Sequence, residues 1–392
     1  MAKPKLALIP ASQGDKLYSV LPSGGVGDFD FTRNSSATRI NKDGLIETVA
    51  SGVSRLNYPM IDGVVSGCPS HILEPSRTNL LQYSEDFTSN WNLDGVTVLS
   101  NNSISPDGSL NADKITFVSG NERLYYIVST SSAVFSVYLK GEDGKEVRIR
   151  NGSGFIKTNI RLTENWERYE VFIDEANTNI QIENINSEYV YAWGAMLEAG
   201  SYTTSYIPTN GSTVTRSAET ANGSGDAATF NDSEGVLMAE IAYLKDRGTS
   251  SPFKVERISI SDATDTNRLF ISNTAIANQI QVFVRNSTGI SFNKTVTISD
   301  NTLYNKIVLK YKANDFSLWI NGFELELDNT YSYLPSGLNV LKFEGASGSY
   351  DFYGNTKQIQ YFDTALTDTD LEELTSWVSF QEMAQSQLYS IQ

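Results

Sequence analysis

The chain holds one histidine and one cysteine, and that scarcity bounds its chemistry. A Ser-His-Asp site would have to be built at His71. That residue sits in a turn-rich stretch before Leu73-Glu74-Pro75, with no Gly-x-Ser-x-Gly elbow nearby. His71 therefore reads as a surface or interface residue. No second histidine exists for a metal pair, and Cys68 alone supports neither a disulfide nor a Cys-x-x-Cys zinc site. Beside Pro69, Cys68 reads as a loop or buried thiol rather than an activated nucleophile. Glu324 and Glu326 share a strand face in simple alternation. A glycoside-cleaving pair needs its carboxyl groups about 5 Å apart, or roughly 6.5–9.5 Å apart with water between them. Exposed carboxylates opposite Ser and Trp are ordinary in hairpins, so no catalytic residue is assigned and the chain is expected not to be an enzyme.

Binding chemistry is better represented. Sugars lay an apolar face on an exposed aromatic ring, with polar groups at the rim. Trp319 is the leading candidate, because alternation places it on one face with Ser317, Glu324 and Glu326. The alternative for that face is cover by another strand, the preceding sandwich or a sister subunit. Trp91 and Trp166 lie near strand edges and are further stacking candidates, whereas Trp193 alternates with Tyr191 and Ala195 in an apolar strand and reads as core. Asp262 with Asp265, and Asp107 with Asp113, are candidate loop ligands for a structural Ca²⁺. No other cofactor is expected.

The elements that must position these residues are strands. Of 392 residues, 40% are hydrophobic and only 19% charged, with 20 Tyr and 18 Phe, which is a β-rich composition. From Ser84 to Ser217, Phe135, Val137 and Leu139 alternate with polar or outward positions, as do Tyr169, Val171 and Ile173, then Ile180 and Ile182. Pro106-Asp107-Gly108, Glu142-Asp143-Gly144 and Asn151-Gly152 supply turns between them. That pattern predicts a jelly-roll sandwich.

Strands resume after Asp226. Phe316–Ile320 and Phe323–Leu327 flank Asn321-Gly322, the strongest hairpin signal in the chain, with Leu318 expected opposite Leu325 and Trp319 opposite Glu324. Thr367 is a good N-cap for a helix with acids in its first turns and Leu371, Leu374 and Val378 as its buried stripe. The first 83 residues look irregular apart from a hairpin, Thr38–Ile40 with Leu45–Val49 around Asn41–Gly44, and read as an arm ordered by a neighbour.

Lys and Arg number 30 against 46 Asp and Glu, a net charge of −16. Nucleic acid is therefore excluded as a partner, since phosphate binding needs a basic stripe, and adhesion to anionic lipid is disfavoured. The apolar stretch after Met1-Ala2-Lys3-Pro4-Lys5 ends at Pro10, too short for a signal-peptide core, and no run approaches the roughly 18 apolar residues of a membrane span. The expectation is a soluble protein made in the cytosol, without membrane insertion.

Several runs carry a family resemblance. Asp30-Phe31-Thr32-Arg33-Asn34-Ser35-Ser36-Ala37-Thr38-Arg39-Ile40, then Asp43-Gly44-Leu45-Ile46-Glu47 and Leu73-Glu74-Pro75-Ser76-Arg77-Thr78-Asn79-Leu80-Leu81, resemble the N-terminal module of tailed-bacteriophage virion proteins. Ser105–Gly108 with Ala112-Asp113-Lys114 is similar to the opening of a carbohydrate-binding-module-like jelly roll in that family. Trp193–Gly200 leading to Thr204–Thr209 resembles its close. Asn231–Gly235, Leu318–Gly322 and Tyr361–Thr367 resemble parts of a concanavalin A-like (laminin-G-like) sandwich. Glycosidases of that fold carry Glu-x-Asp-x-x-Glu on one strand, a pattern missing here.

The resemblance implies a phage structural protein of fibre or head-decoration type, located on the capsid or tail surface and made in host cytoplasm. Other virion proteins, further copies of itself (a trimer favoured) and a host cell-surface glycan would be its partners. The alternatives are a receptor-binding tail adhesin for a host polysaccharide or a polysaccharide depolymerase. The expected fold is mainly β: a virion-docking region over 1–83, a jelly roll over 84–217, a linker over 218–225, a concanavalin A-like sandwich over 226–378, which closes on the short helix, and a tail over 379–392.

Overall fold

The computed structural model describes residues 2–13, 16–61, 63–65, 67–130, 132–152, 157–173, 177–245 and 255–377. The tail over 379–392 and Val378 lie outside these residues. Among the described residues the chain is mainly β, with two sandwiches and one short helix, Asp368–Thr375.

The first sandwich stacks two antiparallel five-stranded sheets. One runs Trp91–Asp94, Arg123–Thr130, Asn177–Asn184, Glu146–Asn151, Lys157–Arg161. The other runs Val96–Ile104, Leu110–Phe117, Tyr189–Ala199, Ala133–Lys140, Glu167–Ile173. The period-two pattern is realised as expected. Phe135, Val137, Leu139, Ile173, Ile180 and Ile182 are fully buried in one core between the sheets.

The second sandwich faces a five-stranded sheet against one of eleven strands. Its hairpin Phe316–Ile320/Phe323–Asp328 turns at Asn321 and Gly322 with φ of 51° and 89°, the left-handed pair that a two-residue type I′ turn requires. Trp319 does pair with Glu324, but Leu318 pairs with Glu326, not Leu325. A bulge at Leu325 shifts the register by one residue, and every expectation beyond it changes face. Thr367 caps the helix as expected, with its hydroxyl accepting Asp370 N at 3.2 Å, and Leu371 and Leu374 are buried.

Two expected boundaries move. Residues 1–83 do not form a separate irregular arm. Leu6–Gln13 pairs with Gly354–Phe362 (Leu6 opposite Tyr361), and Ser70–Leu73 pairs with the same strand, His71 opposite Thr356. Leu6, Leu8, Leu17, Phe29, Phe31 and Leu73 are all buried in the second sandwich's core. The neighbours that order this region are therefore the chain's own two sandwiches, since Leu81 and Ile46 also pack on the first one. Residues 218–225 do not form a free linker either: Thr220–Asn222 pairs with Phe29–Thr32, and Glu219 is fully buried.

Glu219 belongs to a buried ionic network at this junction. Arg33 Nη1 reaches Glu219 Oε1 at 2.7 Å, Arg55 Nε the same oxygen at 2.8 Å, and Arg55 Nη2 bonds Glu219 Oε2. Arg55 Nη2 also reaches Glu74 Oε2 at 2.7 Å, and Arg216 Nη1 lies 2.9 Å from that atom. All five side chains are at most 1% exposed. Burial alone would raise the Glu74 carboxyl, but Arg216 and Arg55 beside it hold it down at about 2. Removing one partner strands a buried charge, which costs about 3–5 kcal/mol. Glu219→Gln is expected to lower unfolding free energy by that amount in urea titration. A loss below about 1 kcal/mol, the range of an exposed pair, would show that the network is not desolvated.

Candidate functional site

The hairpin Ala37–Ile40/Ile46–Val49 forms where the sequence predicts it, and it lies on the outer face of the first sandwich. That face would otherwise expose an aromatic cluster. Trp193 packs between Tyr206 at 4.6 Å and Tyr138 at 5.6 Å, centroid to centroid. Ile46 joins this cluster, with Ile40, Tyr138 and Trp166 packed partly buried against it. Polar ties set the hairpin's position: Ile46 N donates to Pro106 O at 2.9 Å, Thr38 Oγ1 to Tyr206 O at 2.5 Å, and Ile40 N to Asn57 Oδ1 at 2.8 Å. Trp193 is core, as its alternation indicates.

Between the hairpin, the strand pair Met60–Ile61/Val64–Val65 and the sheet lies a cleft of 1020 Å³. Its walls are Ile40, Leu45, Ile46, Met60 and Val64 on one side, and Tyr138 and Trp166 on the other. Lys42, Asp43, Asn165 and Arg168 supply polar groups. Trp166 is half-buried and fixed: its Nε1 donates to Ile104 O at 2.8 Å, and Lys140 Nζ sits 4.9 Å from the ring centroid. Arg168 is immobilised by Thr204 O at 2.6 Å and Ser136 Oγ at 2.9 Å. An aromatic platform with apolar walls and a polar rim is suited to a small polar ligand with an apolar face.

Of the stacking candidates named from sequence, Trp166 lines this cleft, and the other two are buried. Trp319 is 6% exposed, packed with Val236, Met238, Val308 and Phe362 beneath Leu371 and Leu374 of the helix. The expected sugar platform is thus a small core, and its cover is the chain's own helix. Trp91 is also 6% exposed, against Phe87 at 5.1 Å and Tyr126 at 5.3 Å. Glu324 remains at the surface near Asp368 and Lys310, and partial burial, with Asp368 adding to it, raises its carboxyl. Glu326 pairs with core-facing Leu318 and lies 3.7 Å from Lys294 of the opposite sheet. The bulge has therefore put the two glutamates on opposite faces.

The metal candidates are each engaged by protein partners. Asp262 Oδ1 accepts Thr264 N and Oγ1, and its Oδ2 accepts Asn267 Nδ2. Asp265 is paired with Arg268 at 2.5 Å. Asp107 is engaged by Ser105, Ser109 and Asn111, while Asp113 takes Phe87 N and Asn101 N. A second cavity of 490 Å³, lined by Tyr83, Glu85, Asp86, Asn111 and Asp113, is acidic, but each oxygen of Glu85 already accepts a bond, from Tyr206 and Asn111. Among the described residues no group of three His, Cys, Asp or Glu could hold a metal ion.

Cys68 is exposed. His71 is neither surface nor interface: it is fully buried, edge-on to Phe31 at 5.9 Å between centroids. Sequence reading also passed over Lys140 and Tyr191, which flank the cleft. The signal was available, since they occupy the outward phase of strands whose inward phase is Leu139 and Val190.

No family model and no curated protein matches the chain. Among solved structures, similarity is found to the CBM40 module of Ruminococcus gnavus IT-sialidase bound to α2,3 sialyllactose. Identity is 17% and the TM-score 0.32, over 38% of this chain and 86% of that one. Domain 4 of AbnA, a GH43 extracellular arabinanase from Geobacillus stearothermophilus, in complex with arabinotriose, gives 12% and 0.31, over 45% and 84%. Mouse laminin α1 domains LG4-5 give 8% and 0.25, over 77% and 96%. Likenesses at this level concern β-sandwich architecture and bring no ligand with them.

The buried histidine generates a pH prediction. Burial first, then Arg55, lowers His71 from 6.5 to about 3. Between those values the unfolded chain binds a proton that the folded chain refuses, so stability falls as pH falls, by up to about 1.4 kcal/mol per pH unit. Glu74, held down at about 2 from 4.5, adds its own loss only below about pH 4.5. Wild type minus His71→Phe isolates the histidine. That difference in unfolding free energy should shrink by about 3 kcal/mol from pH 7.5 to 4.5. A flat difference, or an NMR titration of folded His71 near 6.5, would contradict the assignment.

Proposed function

We propose that the chain is a non-catalytic attachment protein of a tailed-phage virion, displaying a β-sandwich that binds host-surface glycan in the Trp166 cleft. The carrying observation is the cleft itself: 1020 Å³ with a fixed, half-buried tryptophan, apolar walls and a polar rim. Its volume is at the upper end of ligand-pocket sizes, room for several sugar rings rather than one small metabolite. The virion part of the reading rests on the sequence resemblance, whose residues have definite work in this fold. Thr38 to Glu47 build the cleft's outer wall, and Arg33 and Glu74 belong to the buried network.

A fibre or head-decoration subunit acts through several copies, which turns weak single-site sugar binding into useful avidity. The edge strand Phe323–Asp328 supports self-association, with Phe323 70%, Leu325 41% and Leu327 49% exposed beside unpaired backbone. A trimer is the assembly we favour, and light scattering at micromolar concentration should find no monodisperse monomer. Catalysis is not part of the reading, since the glutamate pair is divided between two faces.

The test is a microarray of host capsular and O-antigen polysaccharides. Wild type should be retained, and Trp166→Ala should bind about thirtyfold more weakly, the loss of one aromatic anchor worth about 2 kcal/mol, with its melting temperature little changed. Equal retention of wild type and variant would remove the cleft as the site. Antibody label on the surface of intact virions tests the location, and its absence there would remove the virion reading.

A further inference from the structure

We propose that the ligand is an acidic polysaccharide, held along a cross-strand row that leads out of the cleft over the exposed part of the sheet. This rests on the glycan-binding reading above. The row follows from the register. Lys140 lies opposite Tyr191, Tyr191 opposite Lys114, and Lys114 opposite Leu99, so four adjacent strands present these side chains on one face. Trp166 continues the row at the fifth strand, where it meets the cleft. With strands about 4.8 Å apart, the row runs about 19 Å.

Cations and rings alternate along it. Lys140 Nζ is 4.9 Å from the Trp166 centroid and 5.5 Å from Tyr191, while Lys114 Nζ is 5.9 Å from Tyr191 and 4.2 Å from Tyr189. Leu99, at the far end, is 58% exposed.

Charge decides what fits here. The chain has a net charge of −16, and carboxylates are abundant. Lys16, Lys42, Lys310 and Lys312 each pair with one. Lys114 and Lys140 have no carboxylate within ion-pair distance among the described residues, and their only close partners are aromatic faces. Each ammonium keeps donors free while its stem is held against a ring. The spacing offers a charged donor beside each stacking surface, the pairing that a chain of uronic or other carboxylated sugars presents in return.

The experiment sorts the polysaccharide array into acidic and neutral members and adds two double variants of the full chain. Wild type should retain acidic members and release them as salt rises. K114Q/K140Q should lose about tenfold in affinity, about 1.4 kcal/mol, while K114R/K140R keeps binding. Carboxyl reduction of a retained polysaccharide should abolish the difference between wild type and K114Q/K140Q. Equal retention of neutral and acidic members, with K114Q/K140Q unaffected, would overturn the inference and leave the cleft reading standing. No retention of any polysaccharide by wild type would overturn both. A wild-type oligomer that K114Q/K140Q dissociates in ultracentrifugation would assign the row to a second copy of the chain, which also overturns it.

Discussion

The architecture depends on five charges removed from water. Arg33, Arg55 and Glu74 come from the N-terminal region, while Arg216 and Glu219 come from the stretch joining the two sandwiches. Ions in such a place are costly singly and tolerable only as a completed set, so the network acts less as glue than as a condition on the fold. Backbone and hydroxyl oxygens nearby take up much of the remaining donor capacity, although Arg216 Nε is buried without a hydrogen-bond partner among the described residues. Arg55 Nη1 donates to Thr38 O and Ser205 Oγ, Arg33 Nη2 to Ala50 O, and Arg216 Nη2 to Pro75 O. A register slip in any contributing segment would strand a charge. That penalty selects one arrangement of segments far apart in sequence.

The cleft inherits its shape from that condition. Arg55 grips the backbone of Thr38 and the hydroxyl of Ser205, and Thr38 in turn donates to Tyr206 O. The hairpin is thus pinned at one end by buried charge and at the other by Ile46 in the aromatic cluster. Its turn end, Lys42 to Ile46, then forms one side of the cleft. The platform tryptophan is held on the sheet side by Ile104 O and Lys140, so both walls are fixed in the chain's own fold. Preorganisation of this kind lowers the entropic cost of binding without adding a contact.

Local structure was legible in the sequence and long-range structure was not. Period-two alternation located the jelly-roll core residues, Asn321-Gly322 the tightest turn, and Thr367 the helix start, because each signal is carried by neighbouring residues. The role of the first 83 residues was hidden, since Leu6 finds its partner at Tyr361 and no local pattern encodes a pairing across the length of the chain. The tryptophans failed for a related reason. Whether the polar-side face of a strand meets water depends on what covers it. For Trp319 that cover is a helix some fifty residues later in the chain, while the bulge at Leu325 rearranged the strand beside it. Trp166 was named as one edge aromatic among several, and only the hairpin packed across it distinguishes it. The candidate calcium ligands illustrate another limit: acidic residues in turns serve the turn first, as Asp262 does for Thr264 and Asn267.

The acidity of the whole chain and the two ring-held lysines, Lys114 and Lys140, belong to one logic. A surplus of sixteen negative charges repels polyanions in general, but at physiological ionic strength that field fades within about 8 Å. Contact is governed by whichever charges lie inside that distance. Elsewhere carboxylates are abundant, and Lys16, Lys42, Lys310 and Lys312 are each neutralised by one. Along the row from Trp166 to Leu99 the local cations are Lys114 and Lys140, and their partners are rings whose attraction for a cation leaves the charge itself uncompensated. For the acidic ligand proposed above, the background repulsion would work in favour of specificity, because aromatic surface and free ammonium groups coincide on this face.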